Sequence, residues 1–330
     1  MMQEEKKQNK VLSAIISFLK KTFTLEKSHF IGIGIVITLF ALDIILAYTL
    51  GYQTKHKYTY EATPYVVALS VILILYFIKL FASKKKSATD LTIVIFTFFG
   101  IWDVAFKLGW ITNDILVPSP EGLFNVFYTK HTEILTDIWL SLKLLFWGFL
   151  LGIVLGTVLG LVAGWFARVR EVVIPISNAI TLLPPLLFSA YLIMTLDTFK
   201  QAAIAVIFFA VFWPTLQGTV ARVSRIDKKI IEAAKVMGVG NVGMLFKVIF
   251  PYCLPEIIRS VSKSLRGAFM CLAGAEMLGI NGGVGFFIEK YKSFADFRVV
   301  LAGIVTIGVV TTVIDLIVTK VEKALIKWNY

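Results

Sequence analysis

The chain has 330 residues, of which 58% are hydrophobic and only 16% charged, where a soluble domain carries roughly 45–50% and about 25%. That much apolar side chain overflows a single soluble core, so part of the solvent is lipid; a secreted disulfide scaffold, a disordered tail protein and a cytosolic enzyme are excluded. The net charge of +12 raises nucleic acid as a partner, a question that the distribution of the charge decides.

The N-terminal MMQEEKKQNK carries charges of both signs and no small-residue cleavage site follows it, so no cleavable signal peptide is expected. Residues 11–25 are short and amphipathic, the pattern of a helix lying along the cytoplasmic surface. Beyond them, stretches of about 20 apolar residues recur at 30–50, 64–82, 91–110, 138–164, 172–196, 202–221, 255–279 and 299–319. The fifth stretch is interrupted by Pro184-Pro185, and the seventh carries Arg259, Lys263 and Arg266. Cys253 and Cys271 lie in or beside apolar segments and read as packing residues rather than as a disulfide or metal pair.

The lysines and arginines orient these spans. One set of loops holds Lys6, Lys7, Lys10, Lys20, Lys21 and Lys27, then Lys84-Lys85-Lys86, Arg168 and Arg170, Arg222 to Lys247, and Lys320 to Lys327. The opposite loops hold far fewer. About eight spans, with both termini cytoplasmic, put every dense basic cluster on the cytoplasmic side of a cell membrane. The positive excess is topological, and nucleic acid is not an expected partner. Two segments between spans are long enough to matter: 111–137 outside, where a Pro-Ser-Pro turn precedes a short helical pattern, and 222–254 inside.

Within the spans, Gly148, Gly152, Gly156, Gly160 and Gly164 repeat every fourth residue and line one helix face. Such a stripe admits a second backbone at close range, either as packing or as a sliding or dimer surface. Ionisable residues in lipid default to functional hypotheses. Asp43 stands alone in the first span, Asp103 and Lys107 are four apart and can pair, and Glu276 ends the seventh span near its outer mouth. Asn178, Thr181, Ser189 and Tyr191 flank the Pro184-Pro185 break as candidate pathway-lining groups. A break of this kind persists in a membrane only where protein or water resatisfies the freed backbone.

The inside loop reads KKIIEAAKVMGVGNVGMLFKVIFPYCLPEII. Ile230, Ile231, Ala234 and Met237 recur at helical spacing, Gly238 and Gly240 break the helix, and a second short helix from about Asn241 to Ile249 is expected to stop before Pro251. Glu232-Ala233-Ala234, then Gly238, then Val248-Ile249-Phe250-Pro251 resemble the "EAA" loop of ABC-importer permeases. That pattern is E-A-A, three residues, Gly, nine residues, Ile, any residue, Leu-Pro; here Val248 replaces Ile and Phe250 replaces Leu. From about Val117 onward the chain looks like the nitrate/sulfonate/taurine branch, through Val117-Pro118-Ser119-Pro120, the glycine-striped span, Leu183-Pro184-Pro185 and Ala275-Glu276-Met277-Leu278-Gly279. Members of that branch commonly carry an Arg ahead of Pro-Pro, where this chain has Thr181.

The resemblance implies an all-α polytopic fold. Its parts are a cytoplasmic segment 1–28, two additional transmembrane helices within 29–88, and a six-helix type I permease core over 89–330 whose coupling loop is 222–254. It also implies a permease subunit with no cofactor of its own: ATP and Mg belong to a partner ATPase in two copies, consistent with the lack of a G-x-x-x-x-G-K-[ST] motif. The ATPase would grip the loop, with Glu232 as polar anchor and Gly238 letting the chain double back. A second permease copy as homodimer and an extracellular or periplasmic solute-binding protein complete the assembly, delivering a small sulfonate, a nitrate-like anion or a heterocyclic vitamin precursor. The rival reading is an ion-driven secondary transporter using Asp43, Asp103 or Asp315. It leaves the 232–251 spacing unexplained.

Overall fold

The structure, a computed structural model, describes residues 27–50, 60–83, 86–111, 116–279 and 281–326. The expected surface helix 11–25 and the basic residues Lys6 to Lys21, Lys84, Lys85 and Lys327 lie outside the described residues. Among the described residues the chain is helical without strands, and seven helices are long and apolar enough to cross a membrane. A bent pair makes an eighth. The all-α polytopic fold is therefore borne out.

Contacts divide the chain into two compact units after Thr129. The first holds α1 (Lys27–Thr49), α2 (Thr63–Ser83), α3 (Lys86–Lys107) and α4 (Pro120–Thr129). Its core is Val36, Tyr65, Leu69, Tyr76, Leu80 and Phe96, all buried. Gly32 lets α3 close on α1: a Cβ there would stand 2.6 Å from the Thr89 methyl. Helix α4 begins as its sequence dictates. Ser119 caps it by accepting the Gly122 N–H at 3.0 Å, and Pro120 fills the first turn, where no N–H is needed.

The second unit opens with α5 (His131–Trp165), whose 35 residues span about 52 Å and so overshoot a hydrocarbon core of about 30 Å. A broken span follows: α6 (Ala167–Thr181), a 3-10 turn at Pro185–Phe188 and α7 (Ser189–Thr195), bent by 82°. Next come α8 (Phe199–Ser224), α9 (Lys228–Val236), α10 (Phe250–Met277), α11 (Val284–Ser293) and α12 (Phe297–Leu325). The core over the middle of this unit joins Leu144 and Leu145 of α5, Ile207 and Val211 of α8, and Phe269 and Leu272 of α10.

The glycine stripe has its partner inside the chain. A Cβ on Gly148 would meet Ile207 Cβ at 2.6 Å, on Gly152 Val211 at 2.8 Å, on Gly156 Thr215 at 3.0 Å, on Gly160 Thr219 at 2.6 Å and on Gly164 Val223 at 2.6 Å. Both series climb by four, so α5 and α8 run parallel in register through five successive contacts. Real carbon contacts lie near 3.5–4.0 Å, so only glycine admits this approach.

One expectation fails. The stretch after Gly240 does not stop before Pro251: Asn241–Gly243 passes through a π-helical turn at Met244–Ile249 directly into α10. A proline inside an α-helix lacks an N–H and its ring strikes the carbonyl four residues back. The wider π turn just ahead of Pro251 shifts the bonding pattern and makes room for the ring, so the helix continues.

Candidate functional site

The loop with the E-A-A spacing folds as a knob. Asp227 caps α9 by accepting the Lys229 N–H at 2.9 Å. The helix ends in two crossed bonds, Gly238 N–H to Lys235 O at 2.9 Å and Val239 N–H to Ala234 O at 3.1 Å. That pairing requires a left-handed residue at its corner, and Gly238 has φ +74°. Gly240 then starts the next helix, its carbonyl accepting the Met244 N–H at 2.8 Å.

Helix α9 splits by face. Ala234 is buried in a cluster with Leu161, Val223, Met244, Ile249 and Cys253, against which Ile231 and Trp165 pack. The other face is open. Val236 and Met237 are 88% and 76% exposed at the tip, Val242 and Phe246 are exposed beside them, and Glu232 and Ala233 are exposed on the helix. Glu232 makes no side-chain hydrogen bond or ion pair among the described residues. The tip thus presents a patch of exposed apolar side chains beside an uncommitted carboxylate. Val248 and Phe250 pack against the buried cluster, and Pro251 opens α10.

The broken span makes the second feature. Pro184 and Pro185 have no N–H, and the bonds across the break are Leu183 N–H to Ile180 O and Leu187 N–H to Pro184 O, both 3.0 Å. Beside it lies a cavity of about 440 Å³ lined by Thr181, Pro185, Phe188, Tyr191, Trp213 and Pro214, among others. The structure thus brings Thr181, Pro185 and Tyr191 together, with Asn178 close by. Gln217 of α8 donates to Asn178 Oδ1 at 3.0 Å and to Thr181 Oγ1 at 3.2 Å. Ser189 is instead buried and donates to the Leu186 carbonyl. Sequence reasoning missed Gln217 and Trp213; a lone glutamine in an apolar span was the signal available for the first.

Glu276 does not line this cavity. It is 1% exposed and fully engaged: Ser141 Oγ donates to its Oε1 at 2.6 Å and the Gly285 N–H to its Oε2 at 2.8 Å. Asp137 accepts the Gly283 N–H at 2.9 Å, and the Val284 N–H bonds Ser141 Oγ at 3.0 Å. Two carboxylates thereby hold the start of α11, where the helix dipole favours negative charge. Gly283 and Gly285 are obligatory, since a Cβ would collide with the Glu276 carboxylate or the Ala273 carbonyl. Beyond this clasp, Lys290 donates to Glu133 at 2.7 Å, which holds the ammonium pKa above its usual range.

Four other ionisable residues singled out in the spans, Asp43, Asp103, Lys107 and Asp315, have partners or burial in the units they belong to. Lys107 is buried and meets Asp103 at 3.0 Å and Glu121 at 2.8 Å, and it donates to the carbonyls of Leu46 and Ala47 at the end of α1. Asp43 is buried against Gly100. Asp315 pairs with Arg266 at 2.8 Å. Among the described residues, Cys253 and Cys271 are free thiols and no group of three His, Cys, Asp or Glu is placed to hold a metal.

Residues 148–327 match the family of binding-protein-dependent transport system inner membrane components. The chain is similar to a probable ABC transporter permease protein of Brucella abortus, 26% identical over 227 residues that cover 67% of this chain and 91% of the relative. It is also similar to the taurine transport system permease protein of Escherichia coli, 27% identical over 65% of this chain and 76% of that one. The nitrate import permease protein of Leptolyngbya laminosa is 29% identical over 54% of this chain and 64% of its own length.

Proposed function

The chain belongs to the family of binding-protein-dependent transport system inner membrane components and is a multi-pass ABC transporter permease; from that premise we propose that it couples solute import to a separate ATPase through the α9 knob. The observation that carries this reading is the match between sequence spacing and shape. The residues spaced as an E-A-A loop form an exposed amphipathic helix with a glycine corner at Gly238, and its buried face is locked to the bundle through Ala234.

In this reading the knob is cytoplasmic, as are both termini. Two ATP-binding subunits, holding ATP and Mg, each take one knob in a groove, with Val236, Met237 and Phe246 as apolar contacts and Glu232 as polar anchor. Closure of the pair on ATP draws two permease copies together. Because the knob passes into α10 without a stop, its displacement reaches the middle of the membrane. The pathway runs by the 82° break between Thr181 and Pro185, and an external solute-binding protein supplies it. The relatives named for taurine and nitrate support a small solute bearing a sulfonate or nitrate-like group.

The test is co-purification. The chain is expected to isolate with an ATP-binding subunit, and Glu232→Arg or Gly238→Pro is expected to weaken the association and uncouple uptake from ATP. Solute transport by the purified chain with no ATPase present would refute this reading.

A further inference from the structure

Helix α10 carries a row of charge where a lipid-facing helix would carry none. Glu256, Arg259, Ser260, Lys263 and Arg266 recur at the spacing of one helix face. With Arg222 of α8 and Glu322 of α12 they line an open cleft of about 650 Å³. Lys263 and Arg266 lie about 21 and 16 Å from the helix end at Met277, at 1.5 Å per residue, in the interior of a helix longer than a hydrocarbon core of about 30 Å. Arg259, Lys263 and Arg266 are nevertheless exposed on the single chain. Charges at that depth face water or protein, not lipid.

The cleft has a net positive lining, four basic side chains against the carboxylates of Glu256 and Glu322. Arg222 approaches Glu256 at 3.5 Å and Arg266 holds Asp315 at 2.8 Å. Arg259 and Lys263 have no ion-pair or hydrogen-bond partner among the described residues. Further along the same helix, Gly274 touches Leu186 of the broken span, where a Cβ would stand 2.7 Å from the leucine Cδ1. The cleft therefore lies on the knob side of the break, on the helix that the knob would move.

We propose that this cleft is an anion-binding vestibule of the transport pathway, with Arg259 and Lys263 as the residues that select a small oxyanion group such as a sulfonate. The proposal rests on the permease reading for the identity of its ligand. Guanidinium and ammonium donors match oxyanions in charge and geometry, and a cleft with an excess of positive charge raises the local concentration of anions.

The experiment uses the full chain with its ATPase in phosphatidylcholine vesicles, with Cys253→Ala, Cys271→Ala and Ser260→Cys. The probes are methanethiosulfonate reagents bearing either an ethylsulfonate or an ethyltrimethylammonium group. The thiol introduced by Ser260→Cys reports the charge around it. The sulfonate reagent is expected to react faster than the cationic one, relative to their rates with a free thiol. Adding Arg259→Gln and Lys263→Gln should lower the sulfonate rate about tenfold, the loss of one to two charge-assisted contacts. The swap Arg259→Lys with Lys263→Arg should keep the preference, which separates lost charge from lost fold. Indifference to reagent charge, or no reaction with either reagent, overturns the proposal. So does suppression of the sulfonate rate in phosphatidylglycerol vesicles alone, which would give the cleft to a lipid headgroup. These readouts need no ATP, so they fail independently of coupling.

Discussion

Gly160→Ala tests the parallel contact of α5 and α8 at one of its closest points. The added Cβ would stand 2.6 Å from Thr219 Cβ and 2.9 Å from the Leu216 carbonyl oxygen, about 1 Å inside ordinary contact. A backbone carbonyl cannot swing away, so the helices must part. Overpacking of this kind costs about 1–3 kcal/mol, and replacing a mid-helix glycine returns about 0.5–1 kcal/mol. The net is a loss of about 1–2 kcal/mol. Gly308→Ala in α12 is the control: nothing lies within 4 Å of its Cβ, so only the propensity gain remains. The two variants should differ by about 2 kcal/mol, roughly thirtyfold in the unfolding equilibrium. The assay is unfolding in mixed micelles of rising dodecyl sulfate content, followed by tryptophan fluorescence. Gly156→Ala with Gly160→Ala should cost less than the sum of the singles, because helices already parted accept the second methyl more easily. A Gly160→Ala protein as stable as Gly308→Ala would refute the close parallel contact.

Three other variants probe separate features. Lys107→Met leaves Asp103 and Glu121 buried without their cation and should destabilise by about 3–5 kcal/mol; adding Asp103→Asn and Glu121→Gln should recover much of the loss in the same micelle titration. Glu276→Ala strips the acceptor from Ser141 Oγ and the Gly285 N–H, at about 1–3 kcal/mol for each buried orphan. Faster amide exchange in the 281–293 segment, with 148–164 unchanged, is the expected signature, and unchanged exchange would refute the clasp. Gly238→Ala should lower affinity for the ATP-binding subunit by about tenfold or less, since left-handed φ costs an L-residue about 1–2 kcal/mol and the site is otherwise open. Gly238→Pro should weaken binding further than Gly238→Ala, because proline cannot adopt φ +74° or donate to Lys235.

Local chemistry made much of this legible in the sequence. Hydropathy located the spans, Pro184-Pro185 located the break, and Gly238 located the corner of the knob, because each depends on a residue and its near neighbours. What stayed hidden required a partner far along the chain. Glu276 reads as an outer-mouth carboxylate until Ser141, 135 positions away, is seen donating to it. The stripe from Gly148 to Gly164 announces a close neighbour without naming α8 or its parallel direction. Pro251 misled in the other direction: proline predicts an end, and the π turn ahead of it removes the clash that would have made one.

That uninterrupted passage has a mechanical consequence. From Asn241 to Met277 the chain is one rod about 55 Å long, reaching from the exposed tip to the residue beside Glu276. Its far end is fastened by the Ser141 and Gly285 bonds, which makes that end a fulcrum and the knob the long arm of a lever. A swing of about 5° about the fulcrum carries the tip by roughly 5 Å, on a rod of this length. Arg259 and Lys263, partway along, travel about half as far or less. Small rotations at a joint fixed beside Glu276 are thus enough to widen or narrow the cleft at Arg259 and Lys263.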